Sequence, residues 1–301
     1  MEIVAIFGPT GAGKTAVAVA LAERLQRRGE YPVAISADAL QVYAGLETLT
    51  GAATPEQRAR LEHRLIGVVP VTESFSAGRF AQLAHREIDA ALASGRRPLV
   101  VGGTGLYLTA ALSRLDLRPP PPAGVRERLQ ARLADLGPEP LHAELAARAP
   151  DVAATIGPGD RTRVTRALEL LEMGEQPPPA GGQSQLWTRA TRHPTRLFGL
   201  TMERATLYER IDRRVDRLVA AGAAEEVRQA EASGASHTAR QALGYEQLLA
   251  GDVVAMKHRT RNYARRQLTW MRKLPGVAVI DSTGRPAEAV AEQIELALGR
   301  R

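Results

Sequence analysis

The sequence predicts an α/β protein with a doubly wound parallel sheet that is interrupted by a helical insertion. Short apolar runs alternate with amphipathic helical stretches, as they do in parallel sheets covered by helices on both faces. A run of four prolines at 119–122 breaks the alternation, and helical stretches without strands follow it. A glycine-rich turn joins the first predicted strand to the first predicted helix. These observations predict the fold class and the insertion, and they indicate a candidate functional site at the glycine-rich turn.

The predicted strands are short apolar runs bounded by Gly, Pro or Asp, which is typical of buried parallel strands. They cover residues 2–7, 31–36, 64–69, 98–101, 196–201 and 277–281. Amphipathic spacing predicts the helices. These cover 15–28 and 76–93, then 125–135, 139–148 and 160–173 after the proline run, and finally nearly all of 203–277.

The proline run and a second proline-rich stretch at 177–182 divide the chain. Proline cannot continue a helix, so both stretches predict connections between larger units. We therefore expect residues 1–118 to form the first part of the core and 119–194 to form the helical insertion. Residues 195–301 would then complete the core and add a basic helical segment.

Composition excludes several classes of protein. The chain has 301 residues, of which 44% are hydrophobic and 24% charged, so it can bury a large core and is not a disordered chain. No apolar run reaches the length of a membrane span, and the chain opens on a strand-like stretch without a leader, so we expect a cytoplasmic protein. It contains no Cys, which excludes disulfides and thiolate metal sites.

The net charge of +7 indicates an anionic partner without naming it. Residues 257–273 alone contain seven basic residues and no acidic one, so the whole excess is local. Helical spacing would give this segment two cationic faces, and the aromatic rings of Tyr263 and Trp270 lie beside one of them. Such a helix could contact both site phosphates and an RNA backbone, or it could be a solvated amphipathic helix.

The strongest motif is GPTGAGKT, which matches the phosphate-binding loop pattern GxxxxGK[ST] between a strand and a helix. Its glycines let backbone N–H groups converge on phosphate oxygens at the start of a helix. Lys14 would reach the distal phosphate, and the Thr15 hydroxyl could ligate Mg²⁺. ATP and pyrophosphate esters satisfy this loop equally well. The candidate phosphate ligands are Gly8, Thr10, Gly11, Ala12, Gly13, Lys14 and Thr15.

Two further features follow predicted strands. Asp38 follows the second strand, where it would face the same crevice as the phosphate loop and could accept a proton or hold a metal-bound water. It could equally cap a helix or a turn. The strand at 98–101 runs into Gly102-Gly103-Thr104-Gly105, which predicts close approach of a ligand or of another backbone, or simply a tight turn. Kinases commonly have an Mg²⁺-binding Asp after such a strand.

In this order, the motifs resemble those of the tRNA dimethylallyltransferases, the isopentenyltransferase family that modifies the adenosine next to the anticodon. The resemblance covers nearly the whole chain. It rests on GPTGAGKT, SADALQVYAGL, TESFSAGRF, LVVGGTGLYL, GDRTRVTRALEL, LYERIDRRVDRLVAAGAAEEV, RQALGYEQL and RTRNYARRQLTW. The chain lacks the zinc-finger extension of eukaryotic members, so it is similar to the bacterial type.

The resemblance implies transfer of a dimethylallyl group from dimethylallyl diphosphate to the exocyclic N6 amine of adenosine in a tRNA anticodon stem-loop. It implies Mg²⁺ assistance, a monomer and no membrane partner. By this resemblance Asp38 is the general base, Thr104 contacts the flipped adenosine and Arg214 joins the phosphate grip. The implied tRNA contacts are Asp38, Ala39, Leu40, Gln41, Thr104, Arg126, Arg161, Thr162, Arg163, Val164, Thr165, Arg259, Arg261, Arg265 and Arg266.

The chain departs from the family pattern at three places. Ala12 stands where the family has Ser, Glu62-His63 stands where it has paired histidines, and residues 47–53 lack a family lysine. Two other classes of protein also share single features. A P-loop small-molecule kinase or ATPase would use the phosphate loop, and a nucleotide-regulated RNA-binding protein would use the loop and the basic segment without catalysis.

Overall fold

The computed structural model describes residues 1–115, 117–118, 120–122, 124–177, 186, 188 and 190–299. Of the first proline run, residue 119 lies outside the described residues. The second proline-rich stretch, at 177–182, lies outside them except for Pro177. No helix in the described part of the chain has both the length and the apolar character needed to cross a bilayer.

All six strands in the described residues belong to one parallel sheet, whose order is β3-β2-β4-β1-β5-β6. The predicted doubly wound α/β fold is confirmed. The phosphate-loop strand β1 is central, between β4 and β5. The strands are β1 (Ile3–Phe7), β2 (Pro32–Ser36), β3 (His63–Arg64), β4 (Arg97–Gly102), β5 (Thr195–Thr201) and β6 (Ala278–Asp281).

The third strand is much shorter than the sequence predicts. The apolar pattern favours a strand over 64–69, but β3 contains only two residues. Leu65 has a φ of 62° and Gly67 a φ of 65°, and this left-handed backbone turns the chain out of the sheet. The prediction was wrong here because the buried residues after Arg64 pack beside Gln41 and Val42, to which Gly67, Val68 and Val69 donate backbone hydrogen bonds.

Helices fill the predicted regions, including almost all of 203–277. In the first part of the chain they are α1 (Lys14–Gln26), α2 (Glu47–Thr50), α3 (Pro55–Arg60), α4 (Ala77–Ala93) and α5 (Gly105–Leu112). The middle part contains α6 (Val125–Leu136), α7 (Pro138–Arg148), α8 (Pro150–Ala153) and α9 (Arg161–Glu172). The last part contains α10 (Arg204–Ala220), α11 (Ala223–Ala232), α12 (His237–Arg240), α13 (Tyr245–Leu249), α14 (Val253–Lys273) and α15 (Ala287–Gly299).

The main core lies on the two faces of the sheet. Alternate side chains of the strands point to opposite faces, and Val4, Ile6, Leu99 and Phe198 share one of them with the buried faces of α1 and α15. The opposite face is covered by α4, which contacts β2 and β4. Strands β1 and β2 are buried along their whole length, so they are continuous apolar runs rather than alternating ones, whereas most of the edge strand β6 is exposed.

The chain divides into two compact units. The larger one comprises Met1–Asp116 and Leu186–Arg301 and contains the whole sheet. The smaller one comprises Leu117–Gln185 and consists of helices α6–α9 around their own apolar cluster, in which Leu129, Leu141 and Leu145 are fully buried. The same unit buries Glu169, which is 2% exposed and is hydrogen-bonded to Arg126.

Candidate active site

The topology brings three predicted features to one edge of the sheet. Strands β2, β4 and β1 are neighbours and run parallel, so their carboxyl ends lie side by side. Asp38 follows β2, Thr104 follows β4 and the phosphate loop follows β1. In open α/β sheets this edge is where ligands bind.

The phosphate loop has the backbone that its glycines predict. Gly11 and Gly13 have φ values of 85° and 89°, which L side chains rarely adopt. A Cβ at Gly8 would lie 2.9 Å from the Leu200 carbonyl oxygen. The loop ends at Lys14, where α1 begins without a capping side chain, so the first-turn N–H groups point toward a ligand site.

Two loop amides are directed into the protein instead. The N–H of Thr10 donates to Gln267 Oε1 at 2.8 Å, and the N–H of Ala12 donates to the Pro9 carbonyl at 3.2 Å. Ala12 is also buried, at 3% exposure. These two positions therefore shape the loop, and Gly11, Gly13, Lys14 and Thr15 supply the N–H groups that remain candidates for phosphate contact.

Lys14 lies folded back over the loop. Its Nζ donates to the carbonyls of Gly8 and Pro9 at 2.9 and 3.0 Å. Burial lowers the pKa of Lys14 to about 8, with nearby Asp38 opposing the shift and Arg214 adding to it. A desolvated ammonium in this position is well suited to an anionic ligand, whose charge would replace the lost hydration.

Helix α10 contributes two arginines to the loop region. Arg214 is half-buried and donates from Nη2 to the carbonyls of Thr50 and Gly51 at 3.1 and 3.3 Å. Burial lowers the pKa of Arg214, and Asp38 opposes this. Arg210, one turn earlier, donates from Nε to the Gly11 carbonyl at 2.9 Å. Arg210 is not among the site residues predicted from the sequence, although its spacing of four residues from Arg214 puts both on one face.

Asp38 caps a turn, and its charge acts on the titratable groups of the site. Its Oδ1 accepts a hydrogen bond from the Leu40 N–H at 3.0 Å, which is a turn-capping contact. Its charge also acts on the pKa values of Lys14, Arg214 and Tyr263. The carboxylate therefore lies among the cations of the site. Of the three residues after it, Gln41 accepts a hydrogen bond from the Ser36 hydroxyl through Oε1 at 2.9 Å.

The glycines after β4 allow close approach of other parts of the protein. A Cβ at Gly102 would overlap the Ala37 carbonyl oxygen, and one at Gly105 would overlap the ring of Trp270. Between them, the Thr104 hydroxyl is 3.0 Å from the Tyr263 hydroxyl. Burial raises the pKa of Tyr263, so it stays a neutral hydroxyl. Thr104 is thus held in the turn at residues 102–105, which packs against α14. We call this turn the Thr104 corner.

Helix α14 meets the site with an uncharged face. Tyr263, Gln267 and Trp270 recur at helical spacing and contact Thr104, Thr10 and Gly105. The cations dominate the sequence pattern of this segment, and Gln267 is not among the predicted site residues. The spacing of these three side chains was the available signal.

Several cations of the basic segment have acidic partners, which the sequence analysis did not foresee. Lys257 pairs with Asp216 at 2.6 Å, and Arg261 makes a bidentate pair with Asp212 of α10. Arg259 pairs with Glu246 at 3.0 Å. Arg265 donates to the Asn262 side chain, and Arg266 stacks over the Tyr263 ring with 5.6 Å between its Cζ and the ring centroid.

The other predicted tRNA-binding residues lie in the helical unit and differ in accessibility. Arg161, Thr162 and Arg163 are exposed at the start of α9. Val164 and Thr165 are 0% and 8% exposed, because this part of α9 faces the core of the unit. Arg126 makes a bidentate pair with Glu169 at 2.7 and 3.0 Å, so its guanidinium supports the unit's own structure.

A small cavity lies behind the start of α1. It is lined by Thr15, Ser36, Gln41 and His63, among others. His63 Nδ1–H donates a hydrogen bond to the Leu61 carbonyl at 2.6 Å, and burial lowers the pKa of His63. The histidine therefore supports the local backbone.

The fold and the site define a P-loop protein that presents its phosphate loop, a carboxylate and a hydroxyl at one sheet edge. The residues directly after β4 are Gly103, Thr104 and Gly105, whereas a kinase would have an acidic metal ligand at this position.

Comparison with known proteins identifies the family. The family profile described as IPP transferase matches residues 41–274. A tRNA dimethylallyltransferase from Salinispora arenicola is 40% identical over 298 residues, covering 94% of this chain and 83% of that protein. Another, from Rhodospirillum centenum, is 44% identical over 284 residues and covers 90% and 88%. The chain belongs to the IPP transferase family.

A solved structure is similar as well. The full-length tRNA isopentenylpyrophosphate transferase from Bacillus halodurans matches with a TM-score of 0.70 and 33% identity. The match covers 99% of this chain and 95% of that one. The similarity therefore extends over both compact units and not only over the phosphate loop.

Proposed function

We propose that this enzyme transfers a dimethylallyl group from dimethylallyl diphosphate to the N6 amine of the adenosine next to the anticodon of tRNA. The bond between C1 of the allyl group and the diphosphate oxygen breaks, and its electrons leave with the diphosphate. The N6 lone pair forms the new bond to C1, and the amine loses one proton. Relatives with 40% and 44% identity are named tRNA dimethylallyltransferase, which supports this reaction.

One observation carries the proposal. Asp38, Thr104 and the phosphate loop follow three adjacent parallel strands, which supports the proposal of a proton acceptor and a hydroxyl beside a diphosphate site. A prenyl transfer to an amine needs these three functions together. A kinase would need an acidic metal ligand after β4, where Gly102 and Gly103 stand instead.

The diphosphate would bind between α1 and α10. The N–H groups of Gly11, Gly13 and the first turn of α1 point to it, with Lys14 and Arg214 adding positive charge. Charge grows on the diphosphate as the C1–O bond breaks. Preorganised donors in a site with little water stabilise that charge most in the transition state.

The residues present fit a bound Mg²⁺ ion. Thr15 lines a cavity with Ser36 and Gln41, and hydroxyl and amide oxygens are hard ligands that Mg²⁺ accepts beside phosphate and water oxygens. The described residues contain no group of three or more acidic, histidine or cysteine side chains that could hold a metal by themselves. The Thr15 hydroxyl and diphosphate oxygens would therefore hold the ion, which would neutralise part of the diphosphate charge when bound.

Asp38 would take the proton from N6 as the new bond forms, and Thr104 would hold the flipped adenine by a hydrogen bond. An aromatic amine is a weak nucleophile, so positioning of N6 against C1 accounts for much of the expected rate. Flipping the adenosine out of its stack costs about a few kcal/mol, which is least for an unpaired loop base. An anticodon stem-loop offers such a base.

The tRNA would contact both parts of the chain. In the helical insertion, expected at 119–194, the exposed Arg161, Thr162 and Arg163 are suited to a phosphate backbone. In the larger unit, Arg265 and Arg266 have no carboxylate partner among the ion pairs of the described residues. Residues 38–41 would read the nucleotides around the target. A monomer would be sufficient for this reaction, and we expect it to take place in the cytoplasm.

The test is mass spectrometry of tRNA nucleosides after incubation with dimethylallyl diphosphate and unmodified tRNA. Wild-type protein should convert adenosine to its N6-dimethylallyl form, and ATP should not replace the donor. Asp38→Asn should retain tRNA binding and lose transfer by about 100-fold or more, since general-base catalysis contributes about 10²–10⁴-fold. Glu288→Gln, the same type of change on the exposed surface of α15, is the control. The absence of alkylated nucleoside with wild-type protein would refute the proposed reaction.

A further inference from the structure

Gln267 is a buried polar residue that joins two parts of the active site. It lies in α14 and is 4% exposed. Its Oε1 accepts a hydrogen bond from the Thr10 N–H of the phosphate loop at 2.8 Å. Its Nε2 donates to the Gly103 carbonyl at 2.8 Å, next to Thr104. One amide thus bridges the end of β1 and the end of β4.

The Gln267 amide leaves no room for a side chain at Gly103. A Cβ at Gly103 would overlap Nε2 of Gln267, and it would lie 3.1 Å from the Gly8 carbonyl oxygen and 3.2 Å from Lys14 Nζ. Gly103 therefore lets the amide enter between the phosphate loop and the Thr104 corner. The sequence feature that predicted close approach at this glycine has a specific partner, which is Gln267.

The chemistry of the side chain matches its two neighbours. The backbone offers a donor on the loop side and an acceptor on the Thr104 side. The side-chain amide of Gln267 carries an acceptor oxygen and a donor nitrogen on one planar group, so it can satisfy both. The bond to the Gly103 carbonyl is buried and the bond from the Thr10 N–H is partly buried, so losing either removes a partner from a backbone group with restricted access to water. The pair of bonds fixes the loop and the corner relative to each other more firmly than apolar packing would.

We propose that Gln267 is a positioning residue that sets the separation between the diphosphate loop and the Thr104 corner. This inference rests on the proposed function, because it assigns the two sides to the allylic donor and the adenosine acceptor. Gln267 touches neither reacting atom. It acts through Thr10 on the side of C1 and through Gly103 and Thr104 on the side of N6.

The expected kinetic signature follows from this geometry. A small displacement between two bound reactants lowers the rate of their reaction while leaving the binding of each nearly intact; a shift of about 1 Å can cost about 100-fold. Loss of Gln267 should therefore lower kcat by about 10–100-fold. The KM values for dimethylallyl diphosphate and for tRNA should change by less than about threefold, since each substrate keeps its own contacts.

The experiment compares Gln267→Met with Gln229→Met. The first replaces the bridging amide by an apolar chain of similar length, and the second makes the same change at an exposed position of α11. Single-turnover transfer rates and both KM values are measured, together with the Kd for inorganic pyrophosphate by calorimetry. The expected result is a lower transfer rate, with the Kd for pyrophosphate within threefold of wild type. A transfer rate within twofold of wild type, or a loss that appears only in KM, would overturn the inference.

A double variant separates positioning from a general loss of stability. If Gln267 acts through the Thr104 corner, the combined effect of Gln267→Met and Thr104→Ala on kcat should be less than the product of the single effects. A fully multiplicative effect would refute action through Thr104. If Gln267→Met does not fold, Gln267→Glu keeps the acceptor for Thr10, removes the donor to Gly103 and is judged by the same criteria. Absence of transfer by wild-type protein refutes the proposed function, whereas an unaffected Gln267 variant refutes only this inference.

Discussion

Replacing Lys14 by methionine should stabilise the free protein and weaken its diphosphate binding at the same time. Burial lowers the pKa of Lys14 to about 8, from an ordinary value near 10.5. Each pH unit of such a change corresponds to about 1.4 kcal/mol, so the charged lysine costs about 3 kcal/mol at neutral pH. The side chain keeps part of its surface accessible, which makes this an upper bound. We therefore expect a gain of about 1–2 kcal/mol for Lys14→Met.

The gain should depend on pH in one direction. Below pH 8 the folded protein holds Lys14 charged at the full cost. Between pH 8 and about 10.5 the folded protein releases this proton while the unfolded chain keeps it, so the cost disappears as pH rises. Thermal unfolding should give Lys14→Met a Tm higher by about 2–6 °C at pH 7. At pH 10.5 the two Tm values should agree.

Lys14→Met should bind pyrophosphate more weakly than wild type, although it is more stable. Hydrogen bonds to charged groups contribute about 1.5–3 kcal/mol, so the affinity for pyrophosphate should fall by about 10–100-fold in Lys14→Met at pH 7. Calorimetry at pH 7 measures this directly. A variant that is less stable than wild type at pH 7, or whose gain is the same at both pH values, would show that burial of the ammonium is not the cause.

Two other substitutions test contacts described above. In Gly51→Ala the new Cβ would overlap the Arg214 guanidinium, and Gly51 has a φ of 57° that alanine rarely adopts. The substitution should therefore displace Arg214 and raise the Kd for pyrophosphate by about tenfold, or about 1.4 kcal/mol. An unchanged Kd in calorimetry would count against a diphosphate contact by Arg214. Glu169→Gln leaves the guanidinium groups of Arg126 and Arg166 without their buried anion and should destabilise the chain by about 2–4 kcal/mol in urea unfolding. Burial raises the pKa of Glu169, but the two arginines outweigh burial and lower that pKa overall. The stabilisation is therefore present at neutral pH and is lost as the pH falls below about 4.5. Equal stability of variant and wild type at pH 7 would contradict this prediction.

The sequence predicted the sheet and the meeting point of its loops because both follow from short-range rules. Alternating strands and helices define a parallel sheet, and parallel strands put Asp38, Thr104 and the phosphate loop at one edge. The rules failed at Leu65. There the apolar pattern continues, but the chain turns by a left-handed residue whose position depends on packing against Val42.

The contacts of α14 lay beyond sequence reasoning for a physical reason. A glutamine within an arginine-rich helix has the composition of a solvated surface, and its burial is evident only when the backbone groups of Thr10 and Gly103 are in place. In the same way, Arg261 counts as a free cation in the sequence but pairs with Asp212 once α10 packs on α14. Long-range partners decide both cases.

The central position of β1 has a consequence for the newly made chain. Its five buried residues, Ile3–Phe7, pair with β4 on one side and with β5, which begins at Thr195, on the other. At a ribosomal rate of about 5–20 residues per second, one edge of this apolar strand waits about 10–40 s for its partner. The nascent chain is most exposed to wrong pairing during that interval. Helices α10 and α14 emerge later still, so the phosphate loop gains its contacts with Arg210 and Gln267 only near the end of the chain.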